Sequence, residues 1–129
     1  MKKYFKWLVI GCCFVGLLGC QKSNVSKERQ ESIKVLANKV IDSLNAEDYA
    51  AISDMSDAKL KEINIEQATK AAWGPAIGEL GAFEDYGTYS YASKDENVTV
   101  VVISKYENKK VQFTITFNNK DELTGLYFK

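Results

Sequence analysis

Between Ile33 and about residue 80 the apolar positions recur mostly every third or fourth residue, and from Tyr86 onward they recur every second. A chain whose period changes once, from 3.6 to 2, has a restricted choice of fold class: helices first, then strands, each burying one face against the other. The clearest strand is "VQFTITFN", in which Val111, Phe113, Ile115 and Phe117 alternate with Gln112, Thr114, Thr116 and Asn118. Polar turns at Lys94 to Asn97, Glu107 to Lys110 and Asn119 to Glu122 cut the segment into four strands of an antiparallel meander. A four-residue second turn pairs Tyr106 with Val111. It sets Val98, Val100, Val102 and Ser104 on the face of the phenylalanines, with Tyr89 and Tyr91 joining from the first strand and Leu126 and Phe128 from the last.

Ahead of the strands, Ile33, Leu36, Ala37, Val40, Ile41 and Leu44 lie on one helical face, with Lys34, Asn38, Lys39, Asp42 and Ser43 opposite. Asn45 is placed to close this helix in a left-handed conformation, and "AEDY" restarts a second that carries Tyr49, Ile52 and Met55 inward. The stretch through Leu60 and Ile63 is irregular. Asn64 and Gln67 form a capping pair for a third helix, in which Ala68, Ala72 and Trp73 face the core. Gly74-Pro75 is expected to break or kink it, and Gly81 to end it. The expectation is an α+β domain over residues 32–129, three helices covering one face of a curved four-stranded sheet.

The N-terminus has a different composition. A basic start (Lys2, Lys3, Lys6) is followed by Trp7 to Gly19 without a charged or strongly polar side chain, then by "CQKS". That is the layout of a secretory signal peptide, and the run is shorter than the roughly 20 apolar residues a membrane span needs. Leu17-Leu18-Gly19-Cys20 resembles a bacterial lipobox, which implies cleavage after residue 19 and a lipid on the Cys20 sulfur. Residues 20–31, polar apart from Val25, read as a flexible tether. Cys12 and Cys13 fall in the discarded run, so no disulfide is expected in the mature chain, and an acylated Cys20 would anchor it through two or three acyl chains. The expected location is the outer face of the bacterial cytoplasmic membrane. Seventeen basic residues balance seventeen acidic ones, and losing the three leader lysines leaves a net charge of −3. Such a chain has no basic footprint for nucleic acid.

The order of helices followed by a meander resembles the cone-shaped nuclear-transport-factor-two-like superfamily. More narrowly, "LNAEDYAAI", Trp73, "LGAFEDYG" and the closing "VQFTITFNNKDELTGLYF" are similar to a small domain of unknown function found in lipoproteins of Gram-positive bacteria, over residues 33 to 128. The resemblance implies the cone fold and an exported setting. It carries over no catalytic or ligand residue, because none is agreed for that domain. Glu47 stands where its members usually have Gly before Asp-Tyr.

Two function classes follow. The first is a surface binding or protein-interaction module; the alternative is a cell-surface hydrolase or isomerase using a buried carboxylate in the cone cavity. The residues favour the first, since the inward strand positions hold no carboxylate, the chain has no histidine, and the lipid takes up Cys20. Glu79, Glu84 and Asp85, near the helix-to-strand junction, read as solvated. No cofactor or metal is called for, as soft ligands, a calcium-loop spacing and a phosphate loop are all lacking. Tyr49, Trp73, Tyr89, Tyr91 and Tyr106 point inward or to the mouth of the cone. They either line a pocket for a small apolar or peptide-like ligand, or are core with hydroxyls at the rim. On the opposite sheet face Val101, Ile103 and Tyr127 form an apolar strip among Thr88, Ser90, Thr114 and Thr116. It is either a contact for a second copy or another exported protein, or a solvated threonine-rich face.

Overall fold

The computed structural model describes residues 25–129. The expected leader and Cys20, the expected lipidation residue, lie outside the described residues. The first helix, α1 (Lys27–Asn45), buries Ile33, Ala37, Val40, Ile41 and Leu44 of the face read from the sequence and leaves Leu36 half-buried at its margin. It starts well before that face does, so residues 27–31, expected in a flexible tether, are helical. The causes are local and tertiary. Ser26 caps the helix by accepting from the Arg29 amide at 3.1 Å, Val25 is buried, and the Arg29 guanidinium reaches Asp121 at 2.5 Å and the Asn118 carbonyl at 3.0 Å.

Asn45 stays helical. The left-handed residue is Glu47, at φ 57°, two positions on. A left-handed backbone costs an L-residue about 1–2 kcal/mol, which accounts for glycine where the resembling domains have it. Glu47→Gly should therefore stabilise the domain by about 0.5–1 kcal/mol, once the unfolded-state entropy of glycine is set against the relieved strain. A higher urea midpoint at unchanged slope is the expected readout; a lower midpoint would mean that the Glu47 side chain contributes more than its backbone costs.

Asp48 caps α2 (Tyr49–Met55) by accepting from the Ala51 amide. Where the sequence read as irregular, Asp57 caps a fourth, five-residue helix, α3 (Ala58–Glu62), around the buried Leu60. The Asp57 amide also donates to the Leu123 carbonyl at 2.9 Å, tying this corner to the edge of the sheet. The long helix α4 (Ile65–Leu80) starts directly after Asn64, the expected N-cap, but differs from expectation in how that cap is made and at Gly74-Pro75. Asn64, left-handed at φ 60°, makes no side-chain cap; instead its carbonyl accepts from the Gln67 and Ala68 amides. The helix also runs on through Gly74 and Pro75. Proline removes one backbone donor, and the packing of buried Trp73 before it and Leu80 after it holds the turn in register. Gly81, at φ 80°, ends it as expected.

The sheet is β1 (Phe83–Lys94), β2 (Asn97–Tyr106), β3 (Lys110–Phe117) and β4 (Leu123–Phe128), antiparallel in chain order, with β1 and β4 as edges. Asp95 and Glu96, both left-handed, make a two-residue hairpin turn of the kind that matches strand twist. At the next turn Ser104 pairs with Val111 and the Tyr106 amide donates to Lys109, so the expected Tyr106–Val111 pairing is displaced by two residues. An even displacement preserves the faces. Val98, Val100, Val102, Ser104 and Tyr106 accordingly point inward with Val111, Phe113, Ile115, Phe117, Leu123 and Leu126, all buried. No helix among the described residues is long and apolar enough to cross a membrane.

Candidate functional site

The most organised polar feature is a seam where α1 lies along the inner side of β1 and the end of β2. Asn38, Asp42 and Asn45 recur at i, i+4 and i+7, a stripe beside the apolar face of α1. Each receives a tyrosine hydroxyl from the sheet: Tyr89 donates to Asn38 at 2.6 Å, Tyr86 to Asp42 at 2.6 Å and Tyr106 to Asn45 at 2.5 Å. One turn before the stripe, the Lys34 ammonium stands 4.9 Å above the Tyr89 ring, which stacks on Tyr91 at 6.4 Å between centroids and 8° between planes.

The phenols are held in their neutral, donating form. The hydrogen bond to Asp42, followed by burial and the Asp42 charge, pushes Tyr86 up to about 12. Burial is the main cause for Tyr106, which lies well above the usual phenol range, and for smaller rises at Tyr89 and Tyr91. At neutral pH the seam is thus a ladder of phenol donors on amide and carboxylate acceptors. That arrangement fixes geometry and directs hydrogen bonds.

The five aromatic residues proposed for a pocket fall into separate settings. Trp73 and Tyr106 are core. Trp73 is 1% exposed, donates from Nε1 to the Leu44 carbonyl at 2.7 Å, and meets Phe128 edge-on at 5.1 Å, Phe113 at 5.7 Å and Tyr106 at 6.3 Å. Tyr49 packs at the start of α2. Its hydroxyl sits 3.9 Å from where a Gly74 Cβ would stand and has no hydrogen-bond partner among the described residues, and burial followed by the Glu47 charge raises its pKa. Tyr89 and Tyr91 are half-buried in the seam. The interior that a ligand would need is filled in part by the Trp73 cluster.

The sequence places Asn38 and Asp42 on the solvent side, where Asp42 does stay exposed while Asn38 is half-buried, and it leaves Asn45 as a helix stop. Their common spacing on α1 was the available signal. It becomes interpretable only when the sheet register delivers three tyrosines opposite them. Glu79, Glu84 and Asp85 are exposed, with Glu84 paired to Lys105 at 3.0 Å.

On the other sheet face, Ser90, Val101, Thr114 and Tyr127 form one row across all four strands, and Ile103 lies between Thr88 and Gln112. Ile103 is 38% exposed, while Val101 and Tyr127 are half-buried by their neighbours.

These features define a small α+β domain, with helices on one face of a four-stranded meander and a tyrosine seam at one edge. Residues 37–126 match the model of the family described as "Protein of unknown function (DUF3887)", and the chain belongs to that family. No curated protein and no solved structure matches it.

Proposed function

We propose that this is an exported, lipid-anchored interaction module that works through its outer surfaces. The observation that carries this reading is where space is and is not left. The inner face carries Trp73 packed with Tyr106, Phe113 and Phe128, whereas the outer face presents Ile103, 38% exposed, beside half-buried Val101 and exposed Thr88 and Ser90. The "LLGC" boundary at Cys20 supports export and anchoring. The helix-then-meander order resembles the nuclear-transport-factor-two-like superfamily, whose members often pair through this sheet face. A hydrolase or isomerase would need a buried carboxylate, and the exposed Glu79, Glu84 and Asp85 do not favour it. The partner of this reading is a second copy or another exported protein, without a cofactor.

The test has two readouts. Expressed in a bacterium, the parent should fractionate with membranes and Cys20→Ser should not; equal retention would defeat the anchor. In sedimentation, the chain freed of residues 1–20 should self-associate, and the double substitution Val101→Lys, Ile103→Lys should leave it monomeric with its core intact. A parent that is monomeric at high micromolar concentration removes the homodimer and leaves an exported partner, sought by crosslinking on intact cells with the double variant as the negative.

A further inference from the structure

We propose that the anchored domain stands on one fixed end: the start of α1, with the β1–β2 and β3–β4 turns, meets the lipid headgroup surface, and the β2–β3 turn points away from the membrane. The inference rests on the lipid-anchor reading and adds an orientation to it.

Its basis is length. Only residues 21–24 separate Cys20 from Val25. Five Cα steps reach at most about 18 Å whatever conformation they take. Crossing the headgroup region of one leaflet uses roughly 5–7 Å of that. At the other end of this leash the chain is built into the domain. The Val25 side chain is buried, its carbonyl accepts from Gln30 Nε2 at 3.0 Å, and Ser26 caps α1.

The same end gathers both hairpin turns. Arg29 holds Asp121 and the Asn118 carbonyl in the β3–β4 turn, and Asn119 Nδ2 donates to Glu96 of the β1–β2 turn at 2.9 Å. From there the 19 residues of α1 run about 28 Å. Its last residue, Asn45, receives the Tyr106 hydroxyl at the entrance to the β2–β3 turn. Inverting the domain would lift Val25 about 28 Å from the bilayer, beyond the leash. Charge does not supply the attraction, because Lys27, Arg29, Lys94 and Lys120 are interspersed with carboxylates such as Glu28, Glu96 and Asp121. With the strands running between the two ends, the Val101–Tyr127 face looks sideways along the membrane, toward neighbours tethered in the same plane.

The test uses the full chain purified from bacterial membranes and reconstituted in phosphatidylcholine–phosphatidylglycerol vesicles that carry a headgroup-nitroxide lipid. A cysteine at Lys120→Cys or Lys109→Cys, both exposed positions, takes a contact-quenched fluorophore, Cys20 being acylated. The label at 120 should be quenched and the label at 109 should not. A Gly/Ser insert of about 20 residues after Ser23, with a mean reach of roughly 25 Å, should abolish the difference. Equal quenching at the two positions, stronger quenching at 109, or a difference that survives the insert overturns the orientation. Vesicle flotation of Cys20→Ser separates the two readings. If it floats like the parent, the anchor fails and the orientation with it; if it is lost from vesicles while 120 and 109 quench alike, the orientation alone fails.

Discussion

Replacing Trp73 with alanine should cost the domain about 3–5 kcal/mol, the range for truncating a buried tryptophan. The ring is 1% exposed and is surrounded by Phe113, Phe128 and Tyr106, so the cavity is lined from several elements and cannot close by one local shift. The indole hydrogen bond to Leu44 is lost as well, although that carbonyl keeps the Glu47 amide as a second donor at 3.0 Å. Against a total stability of about 5–15 kcal/mol, the alanine variant should be close to unfolding at 37 °C, whereas Trp73→Phe keeps most of the volume and should lose about half as much or less. Circular dichroism in urea measures both variants. Trp73 is the one tryptophan after residue 7, so the chain freed of residues 1–20 should also show emission shifted to shorter wavelength than that of a water-exposed indole. An alanine variant within 1 kcal/mol of the parent (about a fivefold change in the folding constant) would place Trp73 outside the core.

Gly87→Ala should be nearly as damaging, for a backbone reason. Gly87 sits at φ 84° in the irregular stretch between Asp85 and Thr88, and a Cβ there would stand 1.8 Å from the Ile103 carbonyl oxygen and 3.0 Å from its carbon. The obstacle is main chain and cannot rotate away. Left-handed strain alone costs about 1–2 kcal/mol, and relieving the overlap must open the β1–β2 ladder, bringing the expected loss to about 3 kcal/mol or more. The opened segment carries Tyr86 and Tyr89, so the seam should loosen with it, visible as faster amide exchange in β1 and weaker near-ultraviolet dichroism. Gly78 is the control. A Cβ there meets nothing within 4 Å on a helix, and Gly78→Ala should be neutral or stabilising by up to about 1 kcal/mol. Equal midpoints for the two alanine variants would show that the backbone at Gly87 yields without opening the β1–β2 ladder.

Periodicity was enough to read the apolar face of α1, the four strands and the inward set Val98, Val100, Val102 and Ser104, because which side of a helix or strand a residue occupies is a local property of spacing. That logic survived even a two-residue slip in pairing Tyr106, since an even slip leaves both faces unchanged. Individual residues read as punctuation were less informative. Asn45 and Pro75 carry real preferences, yet each is worth at most a few kcal/mol, and the packing of Leu44 and Trp73 outweighs them, whereas Asn64 does stand at the N-cap of α4 but serves it through its carbonyl.

What the sequence determined by itself is the fold class, the position of the core along each element and the abrupt boundary at Cys20, all carried by runs and periods within one stretch of chain. What only the tertiary structure decided are contacts between residues far apart in sequence. Arg29 with Asp121 ties the early start of α1 to the sheet, Trp73 packs on Phe113 and Phe128, and three tyrosines find Asn38, Asp42 and Asn45. Such pairs depend on the register and crossing of whole elements, which no window of neighbouring residues encodes.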